Sequence, residues 1–149
     1  VLDSVFNRII RNRRLGRSTW VYIDEIYLLF QHEYSANFLF TLWKRVRKYG
    51  ACCTGLTQNV DDLLQSHTAR TMLANSEFLV MLNQASTDRA ELARLLNISD
   101  NQLSYITNVD FGRGLIKCGS AIVPFMDHFP KNNLYRLMST KPSEADAAV

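Results

Sequence analysis

Two short runs of this chain, Trp20-Val21-Tyr22-Ile23 and Phe78 to Leu82, are apolar at every position instead of every second one. A third β-type stretch, Ala51 to Thr57, lies between them. Continuous runs of this length, rich in β-branched and aromatic residues, suit strands covered on both faces. The segments between them have helical spacing. That alternation restricts the chain to one broad class, because strands alternating with helices form a parallel sheet with helices packed on it. Ligands of such sheets bind beyond the carboxyl ends of the strands, so the polar residues at those ends carry the functional question.

Leu2, Val5, Phe6, Ile9 and Ile10 recur at three- and four-residue spacing, and Gly16 is a stop signal. Ile26 to Gln31 fits a short helix. Phe38, Leu39, Leu42, Trp43, Val46 and Tyr49 make a longer stripe that Gly50 ends. Lys44, Arg45, Arg47 and Lys48 lie opposite that stripe and load its C-terminal end, where the helix dipole favours cations. Short helices are expected over 60–64, with Asn59 placed to cap the first turn, and over 68–74. Asp88 with Glu91 resembles a capping pair ahead of Leu92, Leu95 and Leu96, and Ser99 with Gln102 fits a capping box. Residues 114–118 and 121–125 flank Gly119-Ser120, a two-residue hairpin signal. The organisation expected is a basic helix over 1–17, one α/β unit over 18–138 and a disordered tail over 139–149.

The 149 residues amount to one domain, and 47% hydrophobic against 21% charged residues excludes a disordered chain. Residue 1 is Val and the first Met is Met72, so the chain is expected to be a piece or processed product of a longer protein. No run of about 18 apolar residues is available for a membrane-spanning helix. Of the formal net charge of +3, the first 17 residues carry five arginines (Arg8, Arg11, Arg13, Arg14 and Arg17) against Asp3. Such a patch suits nucleic acid or anionic lipid, or is a solvated helix face. Cys52, Cys53 and Cys118 are too few and too badly spaced for a disulfide framework. With His32, His67 and His128 scattered, no metal-ligand spacing exists either. Cys52 and Cys53 read as buried small hydrophobes in a reducing, cytoplasmic environment.

The first strand ends in Asp24-Glu25. Two adjacent carboxylates at the ligand edge of a sheet form a Walker B arrangement: one suits Mg²⁺, which prefers oxygen ligands, and the other an attacking water. They point to opposite sides of an extended backbone, which suits different roles. The alternative is a strand that ends in a charged turn. The second strand ends in Leu56-Thr57-Gln58-Asn59, where Gln58 can donate and accept at once and so sense a γ-phosphate, beside the plainer helix-cap role of Asn59. Gly112-Arg113-Gly114 opens the hairpin. Flanking glycines leave Arg113 exposed and its backbone free, as a phosphate-stabilising arginine needs, or as a tight turn with a surface arginine would look.

In this order, Trp20 to Glu25, Gly55 to Asn59 and Arg113-Gly114-Leu115-Ile116-Lys117-Cys118-Gly119 resemble the C-terminal half of the conjugative-transfer ATPases of type IV secretion. This is the VirB-four-like family of FtsK/HerA-type RecA-like motors, and the resemblance runs from about Ser18 to Met138. It implies a partial RecA-like, P-loop NTPase fold: a three-layer α/β sandwich with parallel strands, helices on both faces and a C-terminal antiparallel hairpin. It implies ATP and Mg²⁺ as cofactors, with Asp24 on the metal, Glu25 as catalytic acid, Gln58 as nucleotide sensor and Arg113 as arginine finger or sensor. It implies a homo-hexamer, peripheral at the inner face of the cell membrane, working with secretion components in conjugation, with DNA as a candidate partner. The 149 residues hold no G-x-x-x-x-G-K-[ST] segment, the Walker A loop. Without its amides and lysine the phosphates lack their main site, so this chain alone is expected neither to bind ATP tightly nor to hydrolyse it. The contrasting reading is a non-enzymatic nucleic-acid or protein interaction module that uses the basic helices.

Overall fold

The computed structural model describes residues 2–58, 60–84 and 86–138, apart from the side chains of 86–88. The capping expectations for Asn59 and Asp88 and the tail over 139–149 lie outside the described residues. The chain divides into two compact units, Val1–Glu77 with Ala85–Ile98, and Phe78–Gln84 with Ser99–Val149.

The first unit is built on two parallel strands. β1 (Thr19–Ile23) pairs with β2 (Ala51–Gly55), Thr19 opposite Ala51 and Ile23 opposite Gly55. The crossover between them is a 3₁₀ turn (Ile26–Gln31), helix α2 (Glu33–Arg45) and a second 3₁₀ turn (Val46–Tyr49). Gly50 follows with φ 63°, a left-handed conformation that glycine adopts without steric cost. The amphipathic α1 (Leu2–Arg14) precedes β1, and α3 (Val60–Gln65), α4 (His67–Ala74) and α5 (Ser86–Leu96) complete the unit.

Helix α2 stands between two apolar clusters. Leu42 and Val46 pack with Ile9 of α1 and Ala51 of β2, and the half-buried Val21, Cys53 and Tyr49 close around them. Leu39, one turn earlier, packs with Ile26, Leu63, Ala69 and Met72. Ser66 caps α4 by accepting the Ala69 N–H at 3.3 Å. The alternation along β1 decides which face is covered: Val21 and Ile23 pack into these clusters, whereas Trp20 and Tyr22 are 65% and 67% exposed. Cys52 and Thr54 are exposed on β2 as well. The described helices therefore cover one face of this sheet, not both. The reading of Cys52 and Cys53 as a buried pair is corrected in the same way, because adjacent strand residues point to opposite faces. Cys52 is exposed, and Cys53 is half-buried, with burial and the neighbouring Cys52 pushing its thiol up from 9.0 to about 11.

The second unit is an antiparallel sheet in the order β3-β4-β5. β3 (Phe78–Met81) runs against β4 (Arg113–Cys118), which forms a hairpin with β5 (Ala121–Met126). The apolar run from Phe78 is thus a strand, as its composition predicts, but its partner is the hairpin. A period-free apolar run cannot distinguish parallel from antiparallel pairing. Met81 and Leu115 are buried as a cross-strand pair, while Phe78 and Val80 are exposed on the other face. Gly119 has φ 57°, as the primed hairpin turns require, and Pro124 sits on edge strand β5, where a missing donor is tolerated. The expected capping box opens α6 (Asp100–Leu103): Ser99 Oγ accepts the Gln102 N–H, and Gln102 Oε1 accepts the Ser99 N–H at 3.0 Å. Gln102 Nε2 also donates to the Ile122 carbonyl at 3.1 Å and so ties the helix to β5. Ile106, in the 3₁₀ turn Ser104–Ile106, and Leu115 are fully buried, and α7 (Asn133–Met138) ends the described chain.

The chain is therefore a mixed α/β protein with a parallel pair, crossover helices and an antiparallel hairpin sheet.

Candidate functional site

Because β1 and β2 are parallel, their carboxyl ends lie at one edge of the sheet. The pairing extends one residue past the strands. Leu56 donates its N–H to the Ile23 carbonyl at 2.8 Å and accepts the Ile26 N–H at 2.9 Å. This clasp closes off Asp24-Glu25 as a two-residue protrusion beside the Leu56-Thr57-Gln58 segment. Gly55 leaves room for Ile26 over the strand end. A Cβ there would stand 2.5 Å from Ile26 Cδ1, so a larger residue would push the Ile26 side chain aside.

Within the protrusion the backbone turns sharply. Glu25 has φ 47° and ψ 48°, the left-handed region, which costs a non-glycine residue about 1–2 kcal/mol. Asp24 and Glu25 are thus separated by a turn and not by the alternation of an extended strand. Asp24 is exposed, and its Oδ1 accepts the Glu25 N–H at 3.0 Å. Glu25 is half-buried, and its Oε2 is buried with no hydrogen-bond partner among the described residues. An unpaired buried carboxylate oxygen is costly. Two unfavourable features meet at this residue.

Gln58 is exposed on the neighbouring strand end. The structure therefore brings Asp24, Glu25 and Gln58 to one sheet edge of the first unit. Arg113 belongs to the second unit, at the start of β4. It is exposed and forms an ion pair with Asp110 at 3.8 Å, also exposed, which solvent screens strongly. Its flanking glycines do not leave the backbone free, as the sequence suggested. A Cβ at Gly112 would run into the Asp127 carbonyl, and one at Gly114 into the Met81 carbonyl and the Phe125 ring. The glycines are required by close backbone approach, and Arg113 is exposed because it begins a strand.

Sequence reasoning missed the Leu56 clasp, the fit of Ile26 over Gly55 and the Asp110 partner of Arg113. A glycine directly after a β-type run was the available signal for the second of these. Among the described residues no group of three or more His, Cys, Asp or Glu side chains could hold a metal. The donors at the β1 end are carboxylate oxygens, one of them unpartnered. That set fits Mg²⁺, which is bound by one or two carboxylates together with waters and substrate phosphates. Among the described residues no helix is long and apolar enough to cross a membrane.

A parallel pair that delivers two carboxylates and a glutamine to one edge is the arrangement of P-loop-type nucleotide hydrolases. The family comparison agrees: the model of the TraG P-loop domain matches residues 2–113, well over half of the chain, and this chain belongs to that family. Its structure is similar to that of VirB4 of Thermoanaerobacter pseudethanolicus, with a TM-score of 0.77 and 27% sequence identity. The match covers 87% of this chain and 36% of the VirB4 chain, so the chain spans about a third of the length of that relative. A search of the curated proteins found no match. The resemblance to conjugative-transfer ATPases thus holds at the level of family and fold.

Proposed function

We propose that residues 18–138 form the C-terminal portion of a RecA-like ATPase core that powers conjugative DNA transfer through a type IV secretion system. One observation carries this reading: Glu25, left-handed and with an unpartnered buried oxygen, stands at the end of β1 beside the Gln58 segment. The family match and the VirB4 likeness support it.

Each residue then has a distinct task. Asp24, exposed at the tip, offers its carboxylate to Mg²⁺. When bound, Mg²⁺ would neutralise charge on the nucleotide phosphates. Glu25 holds and polarises the attacking water through the oxygen that meets no donor among the described residues. Gln58 reads the γ-phosphate through an amide that can donate and accept. Arg113, tied among the described residues only by a screened ion pair, can exchange Asp110 for phosphate charge in its own or a neighbouring subunit. The same reading places the working protein in a homo-hexamer that meets secretion components at the inner face of the cell membrane. A Walker A segment must complete the phosphate site, so the 149 residues alone are inactive.

In a longer chain that includes a Walker A loop, Glu25→Gln is expected to keep ATP binding and to lower turnover by about 100-fold or more. Turnover near wild type would remove Glu25 from the mechanism.

A further inference from the structure

The tertiary structure gathers charge that the sequence distributes. From Ser4 to Ile23 and from Tyr34 to Val60 the chain has nine cations and no Asp or Glu, whereas the rest has eight cations against fourteen anions. These two segments pack on each other. The Arg13 guanidinium donates to the Lys48 carbonyl, Phe6 meets Tyr49 edge-on at 5.3 Å, and Thr19 N–H donates to the Gly50 carbonyl at 3.3 Å. The C-terminal ends of α1 and of the α2 crossover therefore lie side by side. Arg11, Arg13, Arg14 and Arg17 come from the first, and Arg45, Arg47 and Lys48 from the second. All seven are exposed, and none forms an ion pair among the described residues. Lys44 packs over the Phe40 ring at 3.9 Å and stands apart from this group.

The dipoles of two helix ends account for only about one unit of negative charge, far below these seven cations. The surplus repels itself and calls for a polyanion. Six of the seven are arginines, whose planar guanidinium matches a phosphodiester in two-point contact. An anionic membrane is the poorer match, because an interfacial helix must bury its apolar face in lipid. The apolar face of α1 is already used: Ile9 is fully buried, and Val5 and Phe6 pack in the same cluster. We propose that this surface binds the phosphate backbone of nucleic acid, independently of base sequence. The proposal rests on charge and packing alone and needs neither nucleotide nor the catalytic reading of Glu25.

The test is fluorescence anisotropy of a labelled single-stranded DNA of mixed sequence, without ATP, across a salt titration. Binding is expected with log affinity falling linearly in log salt, by about 0.7 for each phosphate contacted. The triple variant Arg14→Glu, Arg17→Glu and Arg47→Glu is expected to reduce that slope by about 2 and the low-salt affinity by more than tenfold. Arg13 is left intact because its contact with Lys48 is structural. A second triple variant with Gln at the same positions, of unchanged circular dichroism, should show the same direction of effect. Salt-independent binding, variants that bind like wild type, or capture by phosphatidylserine vesicles with no binding of DNA would each overturn the proposal.

Discussion

At the scale of single residues, Glu25 carries two features that oppose stability. Its left-handed backbone and unpartnered oxygen both raise the energy of the folded state. Glu25→Gly is therefore expected to stabilise the chain by about 1 kcal/mol, since glycine adopts this conformation freely and removes the buried oxygen. Urea unfolding would show it as a higher midpoint, and a lower midpoint would mean that Glu25 makes a stabilising contact. The cysteines separate on the same physical ground. Burial of Cys53 raises its thiol to about 11, so the folded state holds that proton more tightly than the unfolded chain does. The resulting stabilisation is complete below pH 9 and is lost as pH rises through about 11. Near neutral pH iodoacetamide should label the exposed Cys52 and Cys118 well before Cys53, read by mass spectrometry of digests. Equal rates would contradict the burial.

At the scale of elements, the sheet edge depends on Gly55 as much as on its charged residues. Ile26 belongs to the cluster around Leu39 and also lies over the end of β2. Gly55→Ala pushes a methyl against Ile26 and is expected to cost about 1–3 kcal/mol. Ile26→Val in that background should recover part of the loss, because it removes the Cδ1 atom nearest the new methyl. A denaturation series on the four proteins would measure the coupling, and simple additivity would contradict the contact. Much of this was legible beforehand. Spacing placed α1, α2, both parallel strands and the hairpin, and Ser99 and Gln102 announced their capping box. The partner of β3 was not legible, because Phe78 to Met81 is equally apolar on both faces and pairing is decided by the strand it meets.

At the scale of the whole molecule, the described residues leave one apolar sheet face open in each unit, marked by Trp20 and Tyr22 in the first and by Phe78 and Val80 in the second. Exposed faces of this kind associate. The 149-residue chain alone is expected to form concentration-dependent oligomers, and Trp20→Ser with Tyr22→Ser to reduce them, as measured by light scattering. Oligomers unaffected by these changes would point to a different surface. The charge of the chain is as unevenly placed as its apolar surface. A net charge of +3 conceals a basic surface on α1 and the α2 crossover and an acidic remainder.

By itself the sequence determined the kind and order of the elements from α1 to the β4–β5 hairpin, though not α7, and the residues at the strand ends that resemble an ATPase. Those properties follow from local periodicity, turn chemistry and short motifs, all of which act within a few residues. Tertiary structure alone decided that Leu56 would clasp Asp24-Glu25 into a strained turn, that Trp20 would face outward while Val21 faced inward, and that two arginine-bearing segments far apart in the chain would form one surface. These depend on which backbone groups meet across about thirty residues of intervening chain, a matter of packing that no local pattern encodes.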